Sequence, residues 1–185
     1  MQTNVIIVDN FLTNPDEVRE YALSQEFTES GNYPGKRTER DYNESVINTI
    51  SDILRPHAGE VTQVLGCQYQ LTTAAMKSWV HADTYNTWAG VLYLTPDAPP
   101  DGGTGLYRHR RTGLDMHPRD NPRLADEISA DGSDYTKWER IETLANKYNR
   151  LVLYRGDLYH SSLEYFGRGL EDGRLFQTFF ISTEH

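Results

Sequence analysis

The feature that most constrains the fold is a series of short β-type segments that begins near residue 61. These segments are rich in Tyr, Thr, Val, Leu and Phe, and polar stretches with Gly and Pro separate them. The seven candidate strands are 67–75, 77–83, 87–94, 105–109, 150–155, 158–163 and 174–182. So many short strands predict a mainly β protein, built as a sandwich or barrel.

Helical patterns precede and interrupt these strands. A cap residue, a proline and a carboxylate begin a helix over 14–26, and apolar stripes predict further helices at 44–56 and 136–148. We therefore expect a single domain, 1–185, with helices outside the sheets. The polar stretch 112–135 is long for a structureless loop, so we expect a mobile lid at the pocket mouth that sets substrate choice.

Charge and cysteine content exclude several classes of protein. A net charge of −9 argues against general binding to nucleic acids, which depends on neutralising phosphates. The single cysteine, Cys67, excludes an internal disulfide framework and a cysteine-based zinc site. Without an apolar run of membrane length or a secretory signal pattern, we expect a soluble, cytoplasmic protein that does not bind membranes.

Three residues form a candidate metal site. Among the six histidines, only His81 has an aspartate two positions later, and residues two apart on a strand share a face. His81 and Asp83, joined by His160 from a late strand, would form the two-histidine, one-carboxylate triad that binds Fe(II) on one face. The alternative for His160 is a half-buried structural histidine hydrogen-bonded to Ser161 or Ser162.

Arg174 is a candidate anion-binding residue. It begins an otherwise apolar strand pattern, where a buried guanidinium without a partner is unfavourable. Its planar fork suits a carboxylate that binds through both oxygens. The alternative is an exposed arginine at the edge of a sheet.

The order His81-Ala82-Asp83, His160, Arg174 resembles the motif order of the Fe(II)/2-oxoglutarate-dependent dioxygenases, and most closely their small prolyl-hydroxylase-like branch of bacteria and phages. The resemblance covers most of the chain. Its other matching segments are Asp9-Asn10-Phe11-Leu12, Tyr33-Pro34-Gly35-Lys36-Arg37, Leu92-Tyr93-Leu94, Gly102-Gly103-Thr104-Gly105-Leu106-Tyr107-Arg108-His109 and Tyr148-Asn149-Arg150-Leu151-Val152-Leu153-Tyr154.

This resemblance implies a double-stranded β-helix, or jelly roll, with N-terminal and flanking helices. It implies that His81, Asp83 and His160 are the catalytic metal ligands for Fe(II), and that Arg174 binds the distal carboxylate of 2-oxoglutarate. It also implies a reaction with O2 that decarboxylates 2-oxoglutarate to succinate and hydroxylates a substrate.

Several other residues are candidates for the pocket. Arg168 competes with Arg174 for the cosubstrate, but its glycine-rich setting is typical of a turn, so we expect Arg174 in this role. Candidates for lining the cosubstrate pocket, with core packing as the alternative, are Tyr69, Tyr93, Thr178 and Trp88. Candidates for binding substrate, with a solvated loop as the alternative for the basic pair, are Arg108, His109 and Trp88.

Two other classes of function remain open at this stage. A non-catalytic jelly-roll module, for sugar binding or as part of a virion, would not need the triad and the arginine together. A cupin-type metal-dependent isomerase would use extra histidines on the metal-binding strands, whereas His109 and His117 lie in loop-like sequence. For the oxygenase we expect a small-molecule or peptide substrate, and the sequence leaves its identity and the oligomeric state open.

Overall fold

The computed structural model describes residues 2–184, so both ends of the expected domain 1–185 lie outside the described residues. The strands are β1 (Val5–Asp9), β2 (Lys36–Arg40), β3 (Val61–Thr72), β4 (Trp88–Tyr93), β5 (Thr104–His109), β6 (Trp138–Leu144), β7 (Arg150–Arg155), β8 (His160–Ser162) and β9 (Arg174–Thr183). The helices are α1 (Pro15–Ser24), α2 (Glu44–Ala58) and α3 (Pro122–Ala130). None of the helices in the described range has the length and apolarity that a membrane crossing requires.

Two antiparallel sheets form the body of the protein. The large sheet has the strand order β1-β7-β4-β9-β3-β2, and the small sheet has the order β6-β5-β8. One apolar cluster, which includes Leu54 and Phe179, lies between α1, α2 and the large sheet. A second cluster with Val91 and Leu106 joins the sheets, and a third with Ile128 packs α3 behind the small sheet. The predicted mainly β body with helices outside is confirmed.

Strand β9 shows how the sequence separates the two faces of the large sheet. Because side chains alternate along a strand, Leu175 and Phe179 pack toward the helices. Arg174, Phe176 and Thr178 point the other way and line a cavity between the sheets. β9 therefore contributes to the core and to the candidate site at once.

The predictions of local structure differ in their outcome. The helices expected at 14–26 and 44–56 are confirmed as α1 and α2. The helix expected at 136–148 is wrong, because this segment forms β6, which pairs with β5 along its length. The strand expected at 77–83 is also wrong. Only His81 makes a bridge there, to His160, because neighbouring backbone groups bond to turns and loops instead.

The stretch 112–135, which we expected as a mobile lid at the pocket mouth, contains α3, and none of its residues lines the cavity. Its helix begins at Asn121-Pro122, the same dipeptide as in α1, and the Asn121 side chain accepts a hydrogen bond from the Leu124 amide. Ile128 of α3 is fully buried. This stretch therefore belongs to the packed structure.

Candidate metal centre and cosubstrate cavity

His81, Asp83 and His160 lie together at one end of the cavity. One candidate ligand atom from each of them lies within 4.8 Å of the other two. Asp83 Oδ2 is 3.3 Å from His160 Nε2, and Asp83 Oδ1 is 4.0 Å from His81 Nε2. The structure thus brings together the three residues that the sequence singled out, and they form the one such group of at least three among residues 2–184.

Backbone hydrogen bonds between distant segments position this triad. The amides of His81 and His160 each donate to the carbonyl of the other residue, at 2.9 and 2.8 Å. The Asp83 amide donates to the Gly156 carbonyl at 2.7 Å. A Cβ atom at Gly156 would lie 2.6 Å from the carbonyl oxygens of Asp83 and Asn86, so only glycine permits this approach.

Both imidazole rings are held in the orientation that a metal ligand needs. His81 Nδ1 lies 3.0 Å from the Trp79 carbonyl, and His160 Nδ1 lies 2.9 Å from the Leu158 carbonyl. A carbonyl can only accept, so each Nδ1 carries a proton and the Nε2 atom faces Asp83. Nitrogen lone pairs and a carboxylate then converge on one point, which fits a divalent cation.

The pKa values of His81 and Asp83 are also shifted in the directions that favour metal binding. Burial and the neighbouring His160 ring lower the pKa of His81 to about 4, so its imidazole is neutral at neutral pH. Burial raises the pKa of Asp83, but His160, His81 and Arg37 outweigh this effect and hold it below its ordinary value. A neutral imidazole beside an ionised carboxylate is the protonation state in which these groups bind a metal.

The segment 112–135 braces the backbone next to both histidines. The Val80 amide donates to the Gly132 carbonyl, and the Tyr159 amide donates to the Asp115 carbonyl, each at 2.9 Å. Val80 and Tyr159 immediately precede His81 and His160, and both pack in the apolar cluster that contains Ile128 of α3. None of the residues 112–135 lines the cavity, so the segment supports the site from behind.

The cavity has a volume of about 340 Å³ and reaches from the triad to Arg174. Arg174 is only 1% exposed. Its Nε donates to the Gly102 carbonyl at 2.7 Å, and its Nη2 donates to the Gly103 carbonyl at 3.3 Å. Its Nη1 is buried and has no hydrogen-bond partner among the described residues. Because an unpaired buried donor is costly, this atom calls for an anionic ligand in the cavity.

The glycine pair that holds Arg174 has a steric requirement of its own. A Cβ atom at Gly103 would collide with the Leu144 carbonyl oxygen, so only glycine fits at this position. The arginine side chain also stacks on Phe176, with its Cζ atom 4.2 Å from the ring centroid. The guanidinium is therefore fixed on one side by carbonyls and on another by an aromatic face.

Thr178 and Tyr93 lie on the face of the large sheet that borders the cavity. Thr178 lines the cavity directly. The Tyr93 hydroxyl shares a hydrogen bond of 2.8 Å with the hydroxyl of Thr104, which lines the cavity. Burial raises the pKa of Tyr93, while the charge of Arg174 opposes that rise. Tyr93 thus borders the site through Thr104 and through Arg174, whose Cζ atom lies 5.4 Å from the Tyr93 ring centroid.

Tyr69 and Trp88 are outside the cavity, because strand alternation turns them toward the helices. Both pack in the cluster beneath α1 and α2, and the Tyr69 hydroxyl donates to Asp41 at 2.8 Å. Gln70, one residue after Tyr69, faces the cavity instead. The composition of β3 identified a strand but did not indicate which of two adjacent residues faces inward.

The basic cluster after the glycine turn also lies away from the cavity. His109 is fully buried, with its ring nitrogens 3.0 Å from Thr112 Oγ1 and from Asp131 Oδ2. Arg108 is exposed and contacts Asp115. Arg168 is exposed as well, in a turn whose Asp172 carboxylate accepts from the backbone amides of Arg168 and Gly169.

The sequence reasoning missed Arg37, which lies near the triad. Its Nε donates to Gln70 Oε1 at 2.8 Å, and its Cζ atom lies 3.7 Å from the centroid of the Tyr33 ring. Burial lowers the pKa of Arg37, while Tyr33 and Asp83 oppose the change. Arg37 reaches the cavity because it pairs with Gln70 of β3. The sequence alone does not predict that pairing, so it gave no signal for Arg37.

A protein-family model described as a family of unknown function, DUF6445, matches residues 1–181. No curated protein matches the sequence. Solved structures show a clear similarity of fold. HygX from Streptomyces hygroscopicus, with nickel and 2-oxoglutarate bound, has a TM-score of 0.64 at 11% identity, over 99% of this chain and 84% of HygX.

Two other similar structures have related descriptions. A prolyl hydroxylase from Trichoplax adhaerens, in complex with a peptide fragment of hypoxia inducible factor, has a TM-score of 0.57 at 13% identity, over 98% of this chain and 84% of that chain. SnoN, a non-heme alpha-ketoglutarate-dependent epimerase of nogalamycin biosynthesis, has a TM-score of 0.59 at 12% identity, covering 98% and 79%. The fold is therefore the jelly roll of 2-oxoglutarate oxygenases, including prolyl hydroxylases, and the predicted resemblance is confirmed at the level of the fold.

Proposed function

This chain belongs to the family of unknown function DUF6445, and we propose that it is an Fe(II)- and 2-oxoglutarate-dependent oxygenase that hydroxylates a small-molecule or peptide substrate. The observation that carries the proposal is the presence of both required subsites in one cavity. One is the triad of His81, Asp83 and His160, and the other is the unpaired Nη1 atom of buried Arg174. A sugar-binding or virion module would not need both a buried arginine with an unpaired donor and three converging metal ligands in one cavity.

Each group of residues has a separate task in this function. His81, Asp83 and His160 would hold the iron, and the Nδ1 hydrogen bonds of the two histidines keep both Nε2 atoms facing Asp83. Arg174 binds the distal carboxylate of 2-oxoglutarate and so orients its keto acid end toward the triad. Bound iron supplies the oxygen-dependent redox chemistry that amino-acid side chains lack.

The test is an anaerobic titration of the purified protein with Fe(II) and 2-oxoglutarate. Chelation of the keto acid by iron in the protein gives a visible charge-transfer band, so we expect this band to saturate at one equivalent of each. Fe(II) with succinate, which lacks the keto group, serves as the matched control and gives no band. If Fe(II) and 2-oxoglutarate produce no more absorbance together than separately, the proposal fails. Succinate formation after admission of O2 then tests for turnover.

A further inference from the structure

Arg37 is the one cavity-lining cation, besides Arg174, among the described residues. It lies on β2 near the triad end, where its guanidinium stacks on Tyr33 and approaches Phe180, with its Cζ atom 5.7 Å from that ring centroid. Its Nε is engaged by Gln70, so the guanidinium is held in place by three side chains. Such preorganisation favours the binding of a ligand over a freely moving surface charge.

Within residues 2–184 Arg37 forms no ion pair with a carboxylate at 4.0 Å or less, although the charge of Asp83 acts on it from further away, and Nε is the one guanidinium nitrogen that donates a hydrogen bond. By contrast, Arg40 on the same strand donates to the Val64 carbonyl outside the cavity. The terminal edge of the Arg37 fork, where a carboxylate binds through both oxygens, is thus available.

The charges of the cavity are not balanced by the ligands of the proposed function. Asp83 is the one acidic residue among those that line the cavity in the described structure. A divalent ion and two arginines outweigh this carboxylate by three positive charges, and dianionic 2-oxoglutarate neutralises two of them. One positive charge is left over at the Arg37 end, in a partly buried site where charge interactions are stronger than in water.

The cavity that contains Arg37 and the triad has an aromatic lining at its solvent side. Tyr33, Trp79 and Tyr85 line it, and Tyr85 is 96% exposed. One exposed ring and the half-buried rings of Tyr33 and Trp79, together with a cation, form a surface that accepts an apolar body with a negatively charged end.

We propose that Arg37 binds a carboxylate group of the primary substrate and thereby positions a neighbouring C–H bond at the metal centre. The inference rests on the proposed function, and it names the substrate class as small carboxylic acids, whether free or at the end of a peptide. Arg37 is distinct from the cosubstrate subsite, because Arg174 lies at the other end of the cavity, held by Gly102 and Gly103.

The experiment uses benzoate and its uncharged isostere benzamide as probes. Ligand-observed NMR measures their binding to the protein loaded with Ni(II) and saturating 2-oxoglutarate, which keeps the Arg174 subsite occupied. We expect benzoate to bind at least about tenfold more tightly than benzamide, since a charge-assisted hydrogen bond is lost in the amide. Arg37→Gln should abolish this preference, Arg37→Lys should retain part of it, and Arg40→Gln is the matched control that keeps it whole.

The outcomes separate this inference from the proposed function. Binding of 2-oxoglutarate to the Ni(II) protein is measured first for each variant, and it also verifies that Arg37→Gln is folded. If 2-oxoglutarate binds but wild-type protein does not prefer benzoate, or Arg37→Gln keeps the preference, the inference is overturned and the oxygenase proposal stands. If 2-oxoglutarate does not bind, the proposed function fails, whereas an Arg37-dependent preference for benzoate would still establish the carboxylate site.

Discussion

Arg174 and the three candidate metal ligands line the same cavity, but different kinds of backbone hold them. Arg174 belongs to β9, a ten-residue strand that pairs with β3 on one side and with β4 on the other. His81 and Asp83 lie outside the regular strands, and His160 begins the three-residue strand β8. A reciprocal pair of hydrogen bonds between His81 and His160 and one bond from the Asp83 amide to Gly156 place these ligands.

This difference shows which interactions fix the side-chain positions at each end of the cavity. The arginine end is fixed by the unbroken pairing of Gln68–Thr72 with Arg174–Thr178, which a single side-chain change does not disturb. The metal end depends on long-range contacts, including the support of Val80 and Tyr159 by the segment 112–135. We therefore expect distant substitutions to disturb the metal end more than the arginine end.

The largest expected effect is at the metal end itself. Asp83→Asn removes the charged ligand but keeps the shape of the side chain, so the affinity for Ni(II) should fall by more than ~100-fold, beyond the effect of losing an outer-shell contact. The melting temperature without metal should stay close to that of the wild type. Calorimetric titration with Ni(II) gives the affinity, and an unchanged affinity would remove Asp83 from the ligand set.

The next effect concerns the arginine end. Arg174→Ala removes one half of a buried charge-assisted pair, which typically costs about 2–5 kcal/mol, so the Kd for 2-oxoglutarate should rise roughly 30-fold or more. Arg168→Ala is the matched control, because Arg168 is exposed in its turn, and it should change the Kd little.

Arg174→Ala also removes one donor from each of the Gly102 and Gly103 carbonyls, which keep only the Asn146 side chain and the Leu163 amide, so some loss of stability is expected. Ni(II) affinity without 2-oxoglutarate separates the two effects, since it should remain at the wild-type value in a folded variant. Equal sensitivity of the Arg168 and Arg174 variants would contradict the assignment of the cosubstrate subsite.

The sequence predicted the regular parts of this site better than the irregular ones. β9 and β4 were found to within one residue at each end, because buried strands of Val, Leu, Phe and Tyr carry their own local signal. His81 and Asp83 could be selected because only one histidine has an aspartate two residues later, and His160 because it lies in a late candidate strand. The strand that was used to explain that spacing does not exist, and long-range bonds produce the convergence instead.

The remaining errors have one physical cause, which is that pairing partners are not encoded locally. Residues 138–144 have helical spacing of apolar side chains, yet pairing with β5 makes them a strand. Tyr69 and Gln70 are equally compatible with a strand, and only the register decides that Gln70 faces the cavity. By contrast, α3 had a local signal in Asn121-Pro122 that could have been recognised.

The smallest expected effect tests the support of the metal end by α3. Ile128 in α3 and Ile50 in α2 are both essentially fully buried, at 0% and 1% exposed, but on opposite sides of the sandwich. Replacing either with Ala should lower the free energy of unfolding by about 2–5 kcal/mol, because each change leaves a cavity in a packed cluster. Urea denaturation of the metal-free protein measures this cost for both variants.

Only Ile128→Ala should also weaken Ni(II) binding, by about tenfold, the lower end of what the loss of an outer-shell contact costs. Ile128 packs in the cluster with Val80 and Tyr159, whose backbone leads directly into His81 and His160, whereas the cluster of Ile50 contains none of the candidate ligands or the residues preceding them. A cavity beside Val80 and Tyr159 lets both histidines move away from the geometry that the metal requires. If the two variants bind Ni(II) equally well, the positions of the metal ligands do not depend on packing around α3. The contrast between the metal end and the arginine end is then wrong.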